Sequence, residues 1–354
     1  MKTSLCLFTI LCVLSLITSL QSQVPNGYYN SAENKSDQDL RSALHNIIDD
    51  HIEFPYSSSS TDTWDILQES DADPNNINNV LLIYTRESVD GSQEYNSGGG
   101  WNREHVWAKS RGDFGTAIGE GTDVHNLRAS NVQVNTTRLN YSFDDCTSSS
   151  CDNTYGNYFS GSALIFEPRD EDKGDVARII FYMDVRYEGD NGELDLEMTE
   201  SVLSTSSKLP RHGVRSTLLE WHELDPVDDF ERNRNDVIYS YQGNRNPFID
   251  HPELVDYIWG EQQQSAWNSS LSYSTSQSSY REMFIPNPVR TSHIDINSSI
   301  NVNTIELYNV QGKKIRQYPG SSDRIKIPTV SGIYFLRFVS NQSVVNKRIV
   351  VKAP

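Results

Sequence analysis

The stretch Trp101–Asn140, WNREHVWAKSRGDFGTAIGEGTDVHNLRASNVQVNTTRLN, decides how the chain is read. It sets Glu104 beside His105, adds a second histidine at His125, and interleaves Asn126, Asn131, Asn135 and Asn140 with Arg103, Lys109, Arg111, Arg128 and Arg138. Carboxylate, imidazole and amide oxygen are groups that hold a hard divalent cation and activate a water beside it. Guanidinium groups suit a phosphate held in the same place. Together these residue types point to a metal site that cleaves phosphodiesters.

Neighbours on a regular strand face opposite sides, so Glu104 and His105 serve one cation only where the backbone turns. The pair is therefore expected at a strand end. Gly112, Gly115, Gly119 and Gly121 mark the loop that follows, and a second strand is expected around Asp123–Leu127. Asn131–Tyr141 reads as a helix, with Asn135 and Arg138 three apart on one face. Strand, loop, strand and helix make a small ββα unit. A lone Glu-His pair is weak evidence, and His105 by itself reads equally well as a hydrogen-bonded core histidine.

Outward from this stretch, Asp37–His51 carries Leu40, Ala43, Leu44, Ile47 and Ile48 at helical spacing, with Ser36 or Asp37 as N-cap. His45 and His51 flank that face and are expected at its surface edge. Val80–Thr85 reads as a buried strand. Lys173–Tyr187 is a second helix with a stripe of Val176, Ile179, Ile180, Met183 and Tyr187, and Asp228–Tyr241 is a third. The loop Gln242–Glu253 gathers Arg245, Asp250 and His251, either as a hydrogen-bonded lid over the core or as a phosphate contact. Residues 261–282 are rich in Ser and Gln and read as a linker between a catalytic domain (residues 23–260) and a tail (residues 283–354). The tail holds short alternating segments at His293–Ile296, Thr304–Val310, Arg324–Ile327, Gly332–Val339 and Val344–Lys352, the pattern of a small antiparallel β-sandwich. The fold class is α+β.

The net charge of −18 argues against binding nucleic acid through a wholly basic surface. The charge is uneven, however. Residues 283–354 hold 10 Lys/Arg against 3 Asp/Glu, while Trp101–Asn140 holds 5 basic and 4 acidic residues, so the candidate site is locally near neutral. Residues 1–22 read as a signal peptide: Lys2, an apolar run from Leu5 to Ile17, and cleavage near Ser22. That run is too short for a stable membrane anchor. Of the four cysteines, Cys6 and Cys12 fall in the signal, leaving Cys146 and Cys151 to form a disulfide in an exported chain.

The combination REHVW, DVHNL and VNTTRLN resembles the endonuclease I family of exported, non-specific bacterial nucleases, in the ββα-metal (His-Me finger) group. FEPRDEDKGDVARIIFYMDVRY, the run Asp225–Asn235 and QGNRNPFIDHPE extend the resemblance over residues 28–259. It implies His105 as general base, Glu104 and Asn135 as ligands of one Mg²⁺ (Ca²⁺ or Mn²⁺ as substitutes), and hydrolysis of DNA and RNA to 5′-phosphate ends. It further implies that His125 and Asn126 stand behind the site, holding the loop and orienting His105. The arginine that steadies the phosphate is sought at Arg111 first and Arg138 second, because a longer disulfide-bearing insertion found in parts of the family is missing here. The tail is similar to the type IX secretion sorting domain through PNPV (Pro286–Val289), ELYNVQGKKI (Glu306–Ile315) and SGIYFLRF (Ser331–Phe338). Nucleic acid and the type IX secretion machinery are the implied partners of a secreted monomer. A rival reading is an exported adhesion or polyanion-binding module whose Glu/His/Asn cluster holds structural Ca²⁺.

Overall fold

The computed structural model describes residues 24–95, 98–147, 150–269, 289, 291–296, 302–309, 312–339 and 344–351. The expected signal peptide and the linker beyond residue 269 lie outside them. Helices and strands are mixed, an α+β protein. The helices are α1 (Asp37–Ile48), α2 (Thr63–Ser70), α3 (Val132–Arg138), α4 (Lys173–Arg186), α5 (Arg215–Leu224), α6 (Asp229–Gln242), α7 (Pro247–Asp250) and α8 (Leu254–Trp259). Their ends follow from local chemistry. Asp62 and Asp65 form a capping box at the start of α2, and Asp228 and Glu231 form another at α6, satisfying donors that a helix start leaves open. Helix α6 stops at Gly243, whose φ of 77 is a left-handed conformation that glycine adopts without a Cβ penalty.

Every residue of α4 is buried. The sequence predicts one apolar stripe, and Val176, Ile179, Ile180 and Met183 do join the main core. The charged faces are buried as well, and they survive there because each charge is paired. Arg178 meets Glu231 of α6 at 2.6 Å, Asp184 meets Arg41 of α1 at 2.6 Å, and Arg186 meets Asp49 at 2.6 Å. Packing of α1 on α4 also buries His45 and His51, contrary to the expected surface edge. His45 Nδ1 lies 3.0 Å from the Val185 carbonyl, and Arg186 Nε donates to His51 Nδ1 at 3.2 Å. The Gln242–Glu253 loop is the hydrogen-bonded lid: Arg245 is buried between Asp250 at 2.6 Å and Asp236 at 2.8 Å.

The strand Trp101–His105 pairs antiparallel with Leu127–Asn131, from Trp101↔Asn131 to His105↔Leu127. The second strand starts later than expected because the Asp123 carboxylate accepts from Tyr182, Tyr187 and Gln242 and holds the preceding segment in turns. Asn131 ends that strand and also caps α3, accepting from the N–H groups of Gln133 at 2.9 Å and Val134 at 3.3 Å. No loop residue separates strand from helix, so α3 is aimed rigidly. Trp64, Trp101, Leu127, Ala129 and Ile238 form an apolar cluster around the strand pair. The expected strand Val80–Thr85 is not continuous. The strand Asn76–Leu81 ends early, and Tyr84 turns to φ 72, its N–H on Asp172 and its carbonyl on Asn157.

Cys146 and Cys151 form the expected disulfide. Residues 261–269, expected as the start of the linker, instead return to the amino-terminal end of the catalytic unit. Trp267 is fully buried in the main core, and its N–H donates to the Lys35 carbonyl at 2.8 Å. In the tail, an antiparallel sheet ordered Lys314–Pro319, Thr304–Asn309, Gly332–Val339 and Val344–Val351 shares one apolar cluster with the strand pair His293–Asp295 and Arg324–Lys326. No helix among the described residues is long and apolar enough to cross a membrane.

Buried neutral histidines make this fold acid-sensitive. His222 Nδ1 faces Arg178 Nη1 at 3.4 Å, so it accepts, and Nε2–H donates to the Pro252 carbonyl at 3.1 Å. Burial, then the Arg178 charge, lowers its pKa to about 3. The unfolded chain binds that proton below about 6.5 and the folded chain does not, so the stabilisation is complete above about pH 6.5 and is lost as pH falls toward 3. Urea unfolding across this window should give a His222→Gln variant a stability curve flatter than the wild type by about 1.4 kcal/mol per pH unit.

Candidate active site

Glu104, His105, Lys109, Asn135 and Arg138 line one cavity of about 730 Å³. Glu104 and His105 reach the same cavity because the strand ends at His105. Glu104 Oε1 accepts from the Tyr84 hydroxyl at 3.0 Å and lies 3.1 Å from Arg138 Nε. Its Oε2 has no protein partner among the described residues. Burial raises the Glu104 pKa, with Arg138, Tyr84 and Lys109 pulling the other way. A cation at Oε2 would favour the ionised form in the same sense.

His105 Nε2 lies 2.9 Å from the Gly121 carbonyl, which fixes the proton on Nε2 and leaves the Nδ1 lone pair without a protein partner among the described residues. The Tyr56 ring stacks on the imidazole at 5.7 Å. Burial is the first cause that lowers the His105 pKa, to about 3, and the charges of Lys109, Arg103 and Arg138 add to it. The ring is therefore neutral, with its lone pair available. Gly121 is needed where it stands, since a Cβ would come within 2.6 Å of the Ala117 carbonyl oxygen. Asn135 Nδ2 donates to the Arg103 carbonyl at 3.3 Å, which frees the amide oxygen.

The residues expected behind the site divide. Asn126 Oδ1 accepts from the Trp107 N–H at 2.6 Å and its Nδ2 donates to the Trp107 carbonyl at 3.2 Å, pinning the backbone just past His105. His125 does not orient His105. It is buried against Tyr182 with Nε2 3.3 Å from the Asn244 carbonyl, and so belongs to the packing beneath the loop. The carbonyl of Gly121 performs the orienting instead.

Neither arginine sought for the phosphate is free. Arg111 is fully buried and is not on the cavity wall. It donates to the carbonyls of Ser204 at 2.7 Å and Asn140 at 2.8 Å, tying down a loop. Arg138 is buried and committed: beside Glu104, it donates to the carbonyls of Val106 and Leu139 and, at 2.9 Å, to His212 Nε2. Arg103 is clasped between the rings of Tyr56 at 3.4 Å and Trp64 at 4.0 Å. The cation that remains is Lys109, exposed on the cavity lip with no protein partner among the described residues. It stands four residues past His105, on the turn that follows the strand. Tyr84 carried no sequence signal, because it reaches Glu104 only through the fold.

Away from the cavity, His45, Asp49 and Asp190 bring ligand atoms within 4.8 Å of one another. Arg186 already neutralises Asp49 at 2.6 Å, so this group reads as an ion-pair network.

Oxygen donors, a neutral imidazole and an ammonium without a protein partner among the described residues line this one cavity. Residues 36–253 match the model of the Endonuclease I family, and residues 283–352 match the secretion system C-terminal sorting domain. The chain belongs to the Endonuclease I family and carries a tail that directs it to the cell surface or beyond. It is similar to an extracellular ribonuclease of Bacillus subtilis (strain 168), 52% identical over 233 residues, covering 66% of this chain and 78% of the relative. An extracellular ribonuclease of Bacillus amyloliquefaciens matches with the same identity and coverage. An Endonuclease-1 of Buchnera aphidicola is 28% identical over 131 residues, covering 36% of this chain and 46% of the relative.

Truncating Asn126 to Ala would leave the Trp107 N–H and carbonyl buried and unpaired. Denaturant unfolding should show a loss of about 1–3 kcal/mol.

Proposed function

We propose that this cavity belongs to a Mg²⁺-dependent, sequence-non-specific endonuclease that hydrolyses DNA and RNA and leaves 5′-phosphate ends. The observation that carries this reading is that His105 Nδ1, Glu104 Oε2 and the Asn135 amide oxygen meet in one cavity with no protein partner among the described residues. These residues fit the ion: two hard oxygen donors, one of them a buried carboxylate whose Oε1 faces Arg138 and Tyr84 while its Oε2 is left for a cation, with room for water in the remaining positions. Bound there, Mg²⁺ would stabilise charge building on the phosphorane and on the leaving 3′ oxygen. His105 Nδ1 takes a proton from the attacking water while Gly121 holds Nε2–H. Arg138 and Tyr84 keep Glu104 in place, and the Lys109 ammonium meets the phosphate. No side chain attacks phosphorus, so no covalent intermediate forms.

Non-specificity follows because the charged groups reach phosphates rather than base edges. The ribonuclease names of the two Bacillus relatives support RNA as a substrate, and the Endonuclease-1 name of the third supports endonucleolytic cutting. The strand pair running directly into α3 supports the ββα-metal fold for residues 101–138. The shared apolar cluster of the tail strands supports a small sandwich.

Plasmid nicking in Mg²⁺ should stop on adding EDTA and return with excess Mg²⁺, and His105→Ala should abolish it while the protein stays folded, with cooperative unfolding at a midpoint lowered by no more than the loss of one buried hydrogen bond and ring contact. Nicking that ignores the chelator, or an active His105→Ala enzyme, would sink the mechanism. Binding with no nicking under any metal would favour the Ca²⁺-held adhesion module. Lys109→Ala should raise KM on all sequences alike and lower the slope of log KM against log salt by about one.

A further inference from the structure

The cavity wall also carries Leu139, Tyr141 and Leu164, none of which the hydrolysis uses. Leu139 is 54% exposed, and Leu164 is half-buried outside the apolar clusters, so core packing accounts for neither. Both leucines hold left-handed backbones, at φ 52 and φ 60. Such values are outliers for a bulky side chain. Leu139, with ψ −125, occupies the first central position of a turn closed by Tyr141 N–H on the Arg138 carbonyl at 3.2 Å, a position that favours glycine. Arg138 Nη1 fixes the Leu139 carbonyl at 3.0 Å, and Ser142 N–H fixes that of Leu164 at 3.0 Å. Between them in sequence, Tyr141 packs partly on the core, with its hydroxyl 3.3 Å from where a Cβ on Gly161 would stand. Backbone outliers persist only where surrounding bonds over-determine them, and here those bonds hold apolar side chains against a cavity otherwise lined mostly with polar and charged side chains.

We infer that Leu139, Tyr141 and Leu164 seat the nucleobase next to the scissile phosphodiester. This rests on the nuclease reading of the cavity. Every base offers a flat π-face that stacks on tyrosine and packs on leucine, so such a seat adds binding without selecting sequence. It also explains why glycine does not occupy the strained positions: glycine would relieve the backbone and remove the contact.

The test compares a DNA oligonucleotide with its counterpart carrying one abasic nucleoside, mapping Mg²⁺-dependent cleavage at the diester beside it. The wild type should prefer the intact strand by about tenfold in kcat/KM. Leu139→Gly and Leu164→Gly should lose most of that preference, with unfolding midpoints no lower than the wild type because glycine accepts the same backbone. Variants that keep the wild-type preference, or a wild type without one, would overturn the seat while leaving hydrolysis intact. A wild type that cuts neither strand would remove the nuclease reading and the seat together.

Discussion

The guanidinium of Arg138 sits where the fold and the site meet, and a buried cation needs acceptors and opposite charge close by. It stands beside the carboxylate of Glu104, donates to two backbone carbonyls and to His212, and lies over the Phe143 ring. Withdrawing a polar partner leaves a buried charge less well matched, at a cost of several kcal/mol. The strand that ends at His105, the helix that presents Asn135 and the turn beyond Leu139 are thereby tied to one another through a single side chain. Rigidity at the cavity-facing Glu104 carboxylate is a consequence of matching that cation.

The same rule organises the rest of the catalytic unit. Asp71 accepts from Arg128 at 3.2 Å, from Arg234 at 2.7 Å and from the Ala129 N–H at 2.7 Å, which joins α6 to the strand Leu127–Asn131. Asp123 collects two tyrosine hydroxyls and an amide, and burial opposed by His51, His125 and these hydrogen bonds leaves its carboxyl at a pKa of about 2. A strongly acidic chain can therefore keep many of its acids inside as paired structural groups, and the overall charge says little about the surface offered to a polyanion. The local balance along Trp101–Asn140 is the informative quantity.

The parts legible in the sequence were those whose signal is local. Periodicity marked α1, α4 and α6, the Glu104–His105 pair marked the strand end, and alternation marked the tail strands from Thr304 to Val351. Where the reading failed, tertiary contact had overridden the local pattern. Asp123 moved the second strand along, Tyr84 broke an apolar run, and Trp267 drew a polar segment back onto the core. Arg111 and Arg138 look in sequence like any other surface arginine. Only the carbonyls that meet them, from residues as distant as Ser204, show that they are anchors rather than phosphate contacts. Gly121 was legible as a loop residue, but its carbonyl's grip on His105 was not.

The buried Trp267 has a mechanical meaning for a chain that continues into a sorting tail. Its N–H is bound to Lys35, its carbonyl receives the N–H of Asn34, and Ser269 reaches Glu33, so the nuclease is closed on itself where it begins. Force applied along the tail by a translocating or anchoring apparatus would load this latch near residues 33–37 first. The strand Trp101–His105, which carries both Glu104 and His105, takes no part in these latch bonds.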